Sequence, residues 1–354
     1  MRLSLYLTFQ MAFSAIFETF GALFFIPNNK YLANKMNKLE LFLITYNRKD
    51  KCKKTLETIL ADNSPLKGLP LTVLDNASTD GSSEVIETFA KKFANVTHIR
   101  HPKNIGGNAN ITRAYEMATT PYVWVVCDDD EYDWTNWQEL EFALKNNPPA
   151  VVVANYNAPE KGVQYLFKQL SFVPAAIYRT DLITADVLMN MYFNISNMFP
   201  QLAVAAAAIN TGEKLPILQK PLVTMKLNPG NDSYVRGATK VNQVHPLLKN
   251  MFWAKGYLSS IPMLQRSDYR QKCSFFANAE NENFYNFCGR YLANGKGLFY
   301  IYATGIHLSC GWAKLAFALL APVAYCCSFF KDEKGLNIRL FGHIKTRIWK
   351  FKNN

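Results

Sequence analysis

No Cys-x-x-Cys occurs in these 354 residues, and the seven cysteines (Cys52, Cys127, Cys273, Cys288, Cys310, Cys326, Cys327) are odd in number and irregular in spacing. That disfavours a zinc ribbon or a disulfide framework and leaves reduced thiols in a reducing compartment as the expectation. No internal repeat runs at a solenoid or propeller period. Glycine (17) and proline (16) stand at ordinary levels, which excludes collagen-like and low-complexity chains. Apolar content is not scarce either. With 49% hydrophobic and 14% aromatic residues, the chain can bury the core of one large α/β domain or two ordinary ones.

Acidic residues are the scarcer charge, 27 against 39 basic, for a net of +12. Such a surplus suits an anionic partner: nucleic acid, a lipid surface or a phosphorylated substrate. Nucleic acid is the least favoured of these. There is no zinc-finger spacing, no basic helix followed by heptads and no RNP-like aromatic motif. Moreover, residues 331–354 carry seven Lys/Arg against two acids, and so hold five of the twelve net charges.

The two ends suggest a membrane. Residues 3–27 are apolar but for Glu18. They read as a span or signal anchor, with Lys30, Lys35 and Lys38 on the cytoplasmic side, or else as a stretch upstream of a true start at Met36. Residues 315–330 are uncharged between Lys314 and Lys331, short for a span and broken by Pro322. Beyond them, Phe341, Ile344, Ile348 and Phe351 recur at helical spacing among Lys345, Arg347, Lys350 and Lys352. An amphipathic helix on an anionic membrane surface is expected there, against the plainer reading of a frayed, solvated tail.

Between these ends the chain alternates strand-like and helical runs. Strands are expected at 39–44, 71–75, 96–100, 122–127 and 150–156, and helices at 50–62, 83–94, 107–118 and 136–145. Alternation at this spacing means βαβ units and a mainly parallel sheet flanked by helices. Ligands of such sheets bind beyond the C-terminal ends of the strands. The polar clusters fall there. Thr45, Tyr46, Asn47 and Arg48 follow the first strand, and Asp75, Asn76, Ser78 and Asp80 end the second. Asn104, Gly106, Gly107 and Asn108 follow the third, and Asp128, Asp129, Asp130 and Glu131 the fourth. One such cluster is no more than a turn; four in succession mark a site. The acidic run is the sharpest. Carboxylates so close repel one another unless a cation or solvent relieves them. Asp128 and Asp130 suit a divalent metal, Mg²⁺ or Mn²⁺, of the kind commonly shared with substrate phosphates.

Together TYNR, DNASTDGS, NIGG and the aspartate run resemble the nucleotide-sugar-binding half of family 2 inverting glycosyltransferases of the GT-A fold, over roughly residues 38–235. The resemblance implies a Rossmann-like α/β domain that binds a nucleotide-sugar donor. Thr45, Tyr46 and Asn47 would line the nucleoside pocket, and Asp75 would accept a hydrogen bond from the base, which favours uridine. Asp80 and the Asn104–Asn108 turn would support the ribose and diphosphate. Arg113 matches an arginine that some members carry after this turn. Asp128 and Asp130 would be the metal-holding D-x-D pair. The acceptor would be a glycan or a lipid-linked glycan of a bacterial surface polysaccharide, met at the cytoplasmic face of the inner membrane.

One departure stands out. Pro200 and Gln201 occupy the place where the family carries an acidic pair whose second member is the base. Gln201 cannot take a proton at neutral pH, so Asp181, Asp186, Glu213, Asp232 and His245 remain as candidates. The loss also opens a second reading, a non-catalytic nucleotide-sugar-binding module. A nucleotidyltransferase fits poorly, because TYNRKDK lacks the glycine-rich signature such an enzyme would want. The expected organisation is an apolar segment at 1–35, the catalytic domain at 36–240, a helical acceptor-side region at 241–310 and the membrane-associating tail at 311–354. The helix at 203–209 and the aromatic-rich 251–253 and 274–287 are expected to pack in a core rather than stack on sugar rings.

Overall fold

The computed structural model describes residues 38–155, 162–196, 198–226, 256–280 and 319, and three strand segments between 328 and 350. Its centre is a six-stranded sheet. The first strands and helices alternate as β1 (Leu39–Thr45), α1 (Lys49–Ile59), β2 (Leu71–Asp75), α2 (Ser82–Lys92), β3 (Val96–Arg100), α3 (Gly107–Glu116) and β4 (Tyr122–Cys127). Then come the short β5 (Glu131–Tyr132), α4 (Trp137–Lys145), β6 (Ala150–Val152), α5 (Val163–Gln169), β7 (Ala176–Arg179), α6 (Ala185–Phe193), α7 (Leu202–Asn210), β8 (Val223–Thr224) and α8 (Ser267–Glu280).

The sheet order is β3-β2-β1-β4-β7-β6. The β3-β2-β1-β4 ladders are parallel, and β4-β7 and β7-β6 are antiparallel. The chain therefore steps outward from β1 to β3, then returns across β1 to lay down β4. With right-handed crossovers, that reversal sends α1 and α2 to one face and α3 to the other. It also opens a crevice between the C-terminal ends of β1 and β4, where open α/β sheets bind ligands. The expected strand at 150–156 shortens to β6 and sits at the sheet edge. It keeps the direction of β4, because the reversed β7 intervenes.

Strands covered on both faces need continuous apolar runs, and β1 and β4 supply them: Leu41, Phe42, Leu43, Val123, Trp124, Val125 and Val126 are all buried. Each such side chain contributes about 1.5–3 kcal/mol on burial. Trp124 sets its indole N–H on the Pro174 carbonyl at 3.0 Å, so the largest core side chain leaves no polar atom orphaned. The alanine-rich α7 is buried along most of its length, as composition suggests.

The carboxyl-terminal expectation is corrected. Residues 328–332, 335–340 and 343–350 form β9, β10 and β11 of an antiparallel sheet, not an amphipathic helix. Leu336, Ile338 and Leu340 alternate with Asn337 and Arg339, and Ile344, Thr346 and Ile348 alternate with basic residues and Trp349. β-branched residues at period two outweigh a helical spacing carried by only four side chains. Among the described residues no helix is long and apolar enough to cross a membrane. Residues 1–37, 251–253 and 281–318 lie outside the described residues, as do Asp232 and His245.

Candidate active site

The ladder register fixes the site before any side chain is considered. Thr45 pairs with Asp75, and Asp75 with Arg100, so the last residues of β1, β2 and β3 form one row. Ile44 pairs with Cys127, which puts Asp128 level with Thr45 across the β1–β4 crevice. The Thr45 hydroxyl donates to Asp128 Oδ2 at 2.6 Å. Arg48 sends one nitrogen, Nη1, to both Asp128 Oδ1, at 2.5 Å, and Asp129 Oδ2, at 2.8 Å. Burial works against the Arg48 charge, but the two aspartates outweigh it and raise its pKa. Burial pushes the Asp128 carboxyl up, against the pull of Arg48 and Thr45.

The second loop is tied to the first. Helix α1 has no side-chain cap of its own. Its entry is served instead from the β2–α2 loop. Ser78 Oγ accepts from Asn47 N–H at 2.9 Å, Ser82 Oγ from Arg48 N–H at 3.3 Å and Asp80 Oδ2 from Lys49 N–H at 3.0 Å. In return, Asn47 Oδ1 accepts from Thr79 N–H at 2.7 Å. Asn47 and Ala77 sit at φ of 50° and 62°, a left-handed backbone that these bonds hold in place. The third turn is stapled likewise. Asn76 Nδ2 donates to Asn104 Oδ1 at 2.9 Å, and Asn76 Oδ1 accepts from Ile105 N–H at 2.9 Å. Gly106 has φ 88° and ψ 153°, a region essentially closed to residues with a Cβ. This explains the glycine of NIGG. The four polar clusters are thus one bonded network.

Three of the residues named by the resemblance are bonded within the protein. Asp75 has no exposed surface. It accepts from Ser78 N–H at 2.9 Å and from the Ser83 hydroxyl, with His98 and Arg100 nitrogens 3.7 and 3.6 Å away. Burial opposes its charge; the His98 ring and the serine hydrogen bonds outweigh that and hold the carboxyl below its ordinary range. Sealed and occupied, Asp75 organises its loop and offers a base no free oxygen. Arg113 pairs with Glu116, which also accepts from the Tyr192 hydroxyl, rather than joining the strand-end network. Asn108 donates to the Ile195 carbonyl at 2.8 Å and ties α3 to the end of α6.

The acidic run divides. Asp128 belongs to Thr45 and Arg48, while ligand atoms of Cys127, Asp129 and Asp130 lie within 4.8 Å of one another. Burial first, and then the charge of Asp129, push the Asp130 carboxyl up to about 8. Burial and the neighbouring aspartates push the Cys127 thiol well above its ordinary value. The grouping is therefore two crowded carboxyls beside a neutral thiol. Backbone bonds hold it: Tyr132 clamps Cys127, its hydroxyl accepting from the Cys127 N–H at 3.0 Å and donating to the Cys127 carbonyl at 2.8 Å.

The base candidates separate by position. β7 is antiparallel and pairs Arg179 with Tyr122, the first residue of β4. Asp181, bonded to Arg179 at 2.7 Å, is thus at the opposite end of a six-residue strand from Asp128, roughly 20 Å away. Glu213 acts on the same Tyr122 and Arg179 and shares that end. Neither can serve the crevice. Asp186 is exposed in the first turn of α6, only a few residues beyond Asp181. Gln201 does stand at the start of α7, but it is buried, with Nε2 donating to the Ser171 carbonyl at 2.6 Å and Oε1 unpartnered. Sequence reasoning missed Arg100 and Cys127. Arg100 carries no motif, and Cys127 reads as the end of an apolar strand; only the register reveals either.

Residues 41–203 match the family model for glycosyl transferase family 2. The uncharacterised glycosyltransferase YibD of Escherichia coli K12 is 28% identical over 109 residues, covering 31% of each chain. The poly(ribitol-phosphate) β-N-acetylglucosaminyltransferase TarP of Staphylococcus aureus N315 is 21% identical over 230 residues, 63% of this chain and 66% of that protein. The chain thus spans about a third of the length of YibD and about two thirds of that of TarP. In structure, S. aureus TarS 1–349 in complex with UDP superposes with a TM-score of 0.53 at 15% identity, over 87% of this chain and 98% of that one. The strand order and the fold shared with TarS agree with this match, and residues 41–203 are similar to a glycosyl transferase family 2 domain on an α/β fold with a mainly parallel central sheet.

Proposed function

We propose that the chain is a glycosyltransferase that moves a sugar from a nucleoside-diphosphate donor, UDP-linked, to a hydroxyl of a glycan or lipid-linked glycan, with inversion at the anomeric carbon. The observation that carries this is the bonded network joining four strand ends at the β1–β4 crevice, with a carboxylate pair at its rim. UDP is also the nucleotide in the TarS structure that shares the fold.

A divalent cation fits the rim. Ligand atoms of Asp129 and Asp130 lie within 4.8 Å of one another, and burial first, then the charge of Asp129, raises the Asp130 carboxyl. Both offer the oxygen ligands that Mg²⁺ and Mn²⁺ prefer, while the protonated Cys127 thiol is a poor ligand for either. We therefore assign metal holding to Asp129 and Asp130, and give Asp128 the task of fixing Arg48 and Thr45. When bound, the ion supplies positive charge beside the departing diphosphate. The chain's own part is to keep Arg48 and the loop N–H groups oriented, so that no reorganisation is needed as charge develops.

The place of action follows from the apolar 3–27 segment, which would bring the domain to the cytoplasmic face of a bacterial inner membrane, beside a lipid-linked acceptor. Fractionation of the full chain with the membranes supports this; recovery wholly in the soluble fraction counts against it.

The second reading is a nucleotide-sugar-binding module without turnover. Gln201 favours it, as an amide stands where the family has its base. Release of UDP from UDP-sugars in the presence of Mn²⁺ and an acceptor panel separates the two. The transferase reading requires turnover that falls at least a hundredfold in Asp130→Asn. Binding with no turnover supports the module, and turnover unchanged in Asp130→Asn refutes the proposed site.

A further inference from the structure

Asp75 was the residue expected to read the donor base, yet it is sealed. Its side chain has no exposed surface, and its oxygens face Ser78, Ser83, His98 and Arg100. The group that does reach solvent at this point is Arg100. It is the last residue of β3 and the ladder partner of Asp75. Its side chain is 49% exposed. One hydrogen bond and one ion pair aim it: Nη2 donates to the Ser78 carbonyl at 2.9 Å, and Nε lies 3.6 Å from Asp75 Oδ2. Tyr46 and Ile105, more than 40% exposed, are the large apolar side chains left open in loops tied to the same strand ends. This strand-end row thus presents a half-free guanidinium, with exposed apolar side chains in loops tied to the same strand ends, while the Asp75 carboxylate is sealed.

We propose that Arg100, not Asp75, discriminates the nucleobase of the donor. The inference rests on the nucleotide-sugar reading of this site. A guanidinium only donates hydrogen bonds. It therefore favours a base edge that presents carbonyl oxygens, as uracil does with O2 and O4, and is mismatched to adenine, whose amino group is also a donor. Asp75 serves from behind, as the buried countercharge that fixes the guanidinium. Its charge makes the contact directional, since a held arginine loses less freedom on binding than a free one.

The test is calorimetric titration of the full chain, with Mn²⁺, by UDP and ADP, for the wild type, Arg100→Ala and Arg100→Lys. The wild type is expected to bind UDP at least about tenfold tighter than ADP, the scale of one charge-assisted hydrogen bond. Arg100→Ala should bring the UDP/ADP ratio to within about threefold of unity by weakening UDP while leaving ADP unchanged. Arg100→Lys, which keeps the charge but not the fork, should fall between them and guards against a fold defect in the alanine variant. Equal weakening of UDP and ADP would place Arg100 on the phosphates and overturn the proposal, as would an unchanged ratio. Failure of the wild type to bind either nucleotide would refute the nucleotide-sugar reading itself, and this inference with it.

Discussion

Arg48 is the sole cation with side-chain contacts to Asp128 among the described residues, and removing it should expose how the acidic rim is held. In Arg48→Met the Asp128 carboxylate stays inside, its side chain 1% exposed, with Thr45 as its remaining side-chain donor. Breaking a buried ion pair from one side costs roughly 3–5 kcal/mol. Thr45 still donates, and Asp129 is 18% exposed and can hydrate, so the lower end, about 3 kcal/mol, applies. At about 2–4 °C per kcal/mol for a domain of this size, the melting temperature should fall by about 6–12 °C. Asp128→Asn should cost less, about 1–2 kcal/mol, because Arg48 keeps Asp129 and the amide oxygen still accepts from Thr45. The double variant should recover about 2 kcal/mol of the summed cost, since the orphaned charge is gone. Urea denaturation of all four proteins in EDTA measures the cycle. Additivity within about 0.5 kcal/mol would show that the two side chains do not act as a unit, and the proposed division of the acidic run would fail.

Three further outcomes follow from particular positions. Asp75 has a depressed folded pKa, so its contribution is full above the ordinary carboxylate value near 4 and is lost as pH falls below it. The urea-midpoint gap between wild type and Asp75→Asn should therefore be smaller at pH 3 than at pH 7 and still shrinking as the pH falls further, and a constant gap would contradict the assignment. Gly106→Ala forces a Cβ into a glycine-only conformation, at about 1–3 kcal/mol, and should weaken UDP binding by displacing the Asn76–Ile105 staple; a melting temperature within a degree of wild type would exclude the strain. A Cβ on Gly256 would lie 2.9 Å from the Met198 backbone nitrogen and 3.3 Å from Phe199. Gly256→Ala should thus destabilise by about 1–3 kcal/mol despite the usual helical gain from alanine, and calorimetry showing stabilisation would refute the contact.

Much of this architecture can be read from the sequence because its signals are local. Apolar runs such as YVWVVC bounded by turn residues define β1 to β4 to within a residue, and the polar clusters must then fall at strand ends. What escapes the sequence is pairing. Nothing in IYR marks β7 as a reversed strand wedged between β4 and β6, yet that insertion sends Asp181 and Glu213 to the wrong end of the sheet. The tail misleads for the opposite reason. Four residues at helical spacing are cheap to find in a chain this aromatic, whereas the alternation of Leu336, Ile338 and Leu340 extends over a whole strand. The division of the acidic run is likewise invisible in one dimension. Asp128 and Asp130 look equivalent, and only the arginine three residues beyond β1 makes one a structural anchor and leaves the other exposed to its neighbour's charge.

The same logic bears on the missing base. A donor site needs groups fixed before the substrate arrives, and every strand-end cluster here is cross-linked to at least one other. The first turn of α7 has no such provision: Gln201 is followed by apolar residues and its own amide is spent on the Ser171 carbonyl. A base at that spot would need a carboxylate with one face open to the crevice. Gln201 is 1% exposed, so replacing it by glutamate would bury a charge rather than create a base. Gln201→Glu should therefore lower stability and leave any turnover no higher, and a gain in turnover in that variant would show that the loss of this one carboxylate is what limits the chemistry.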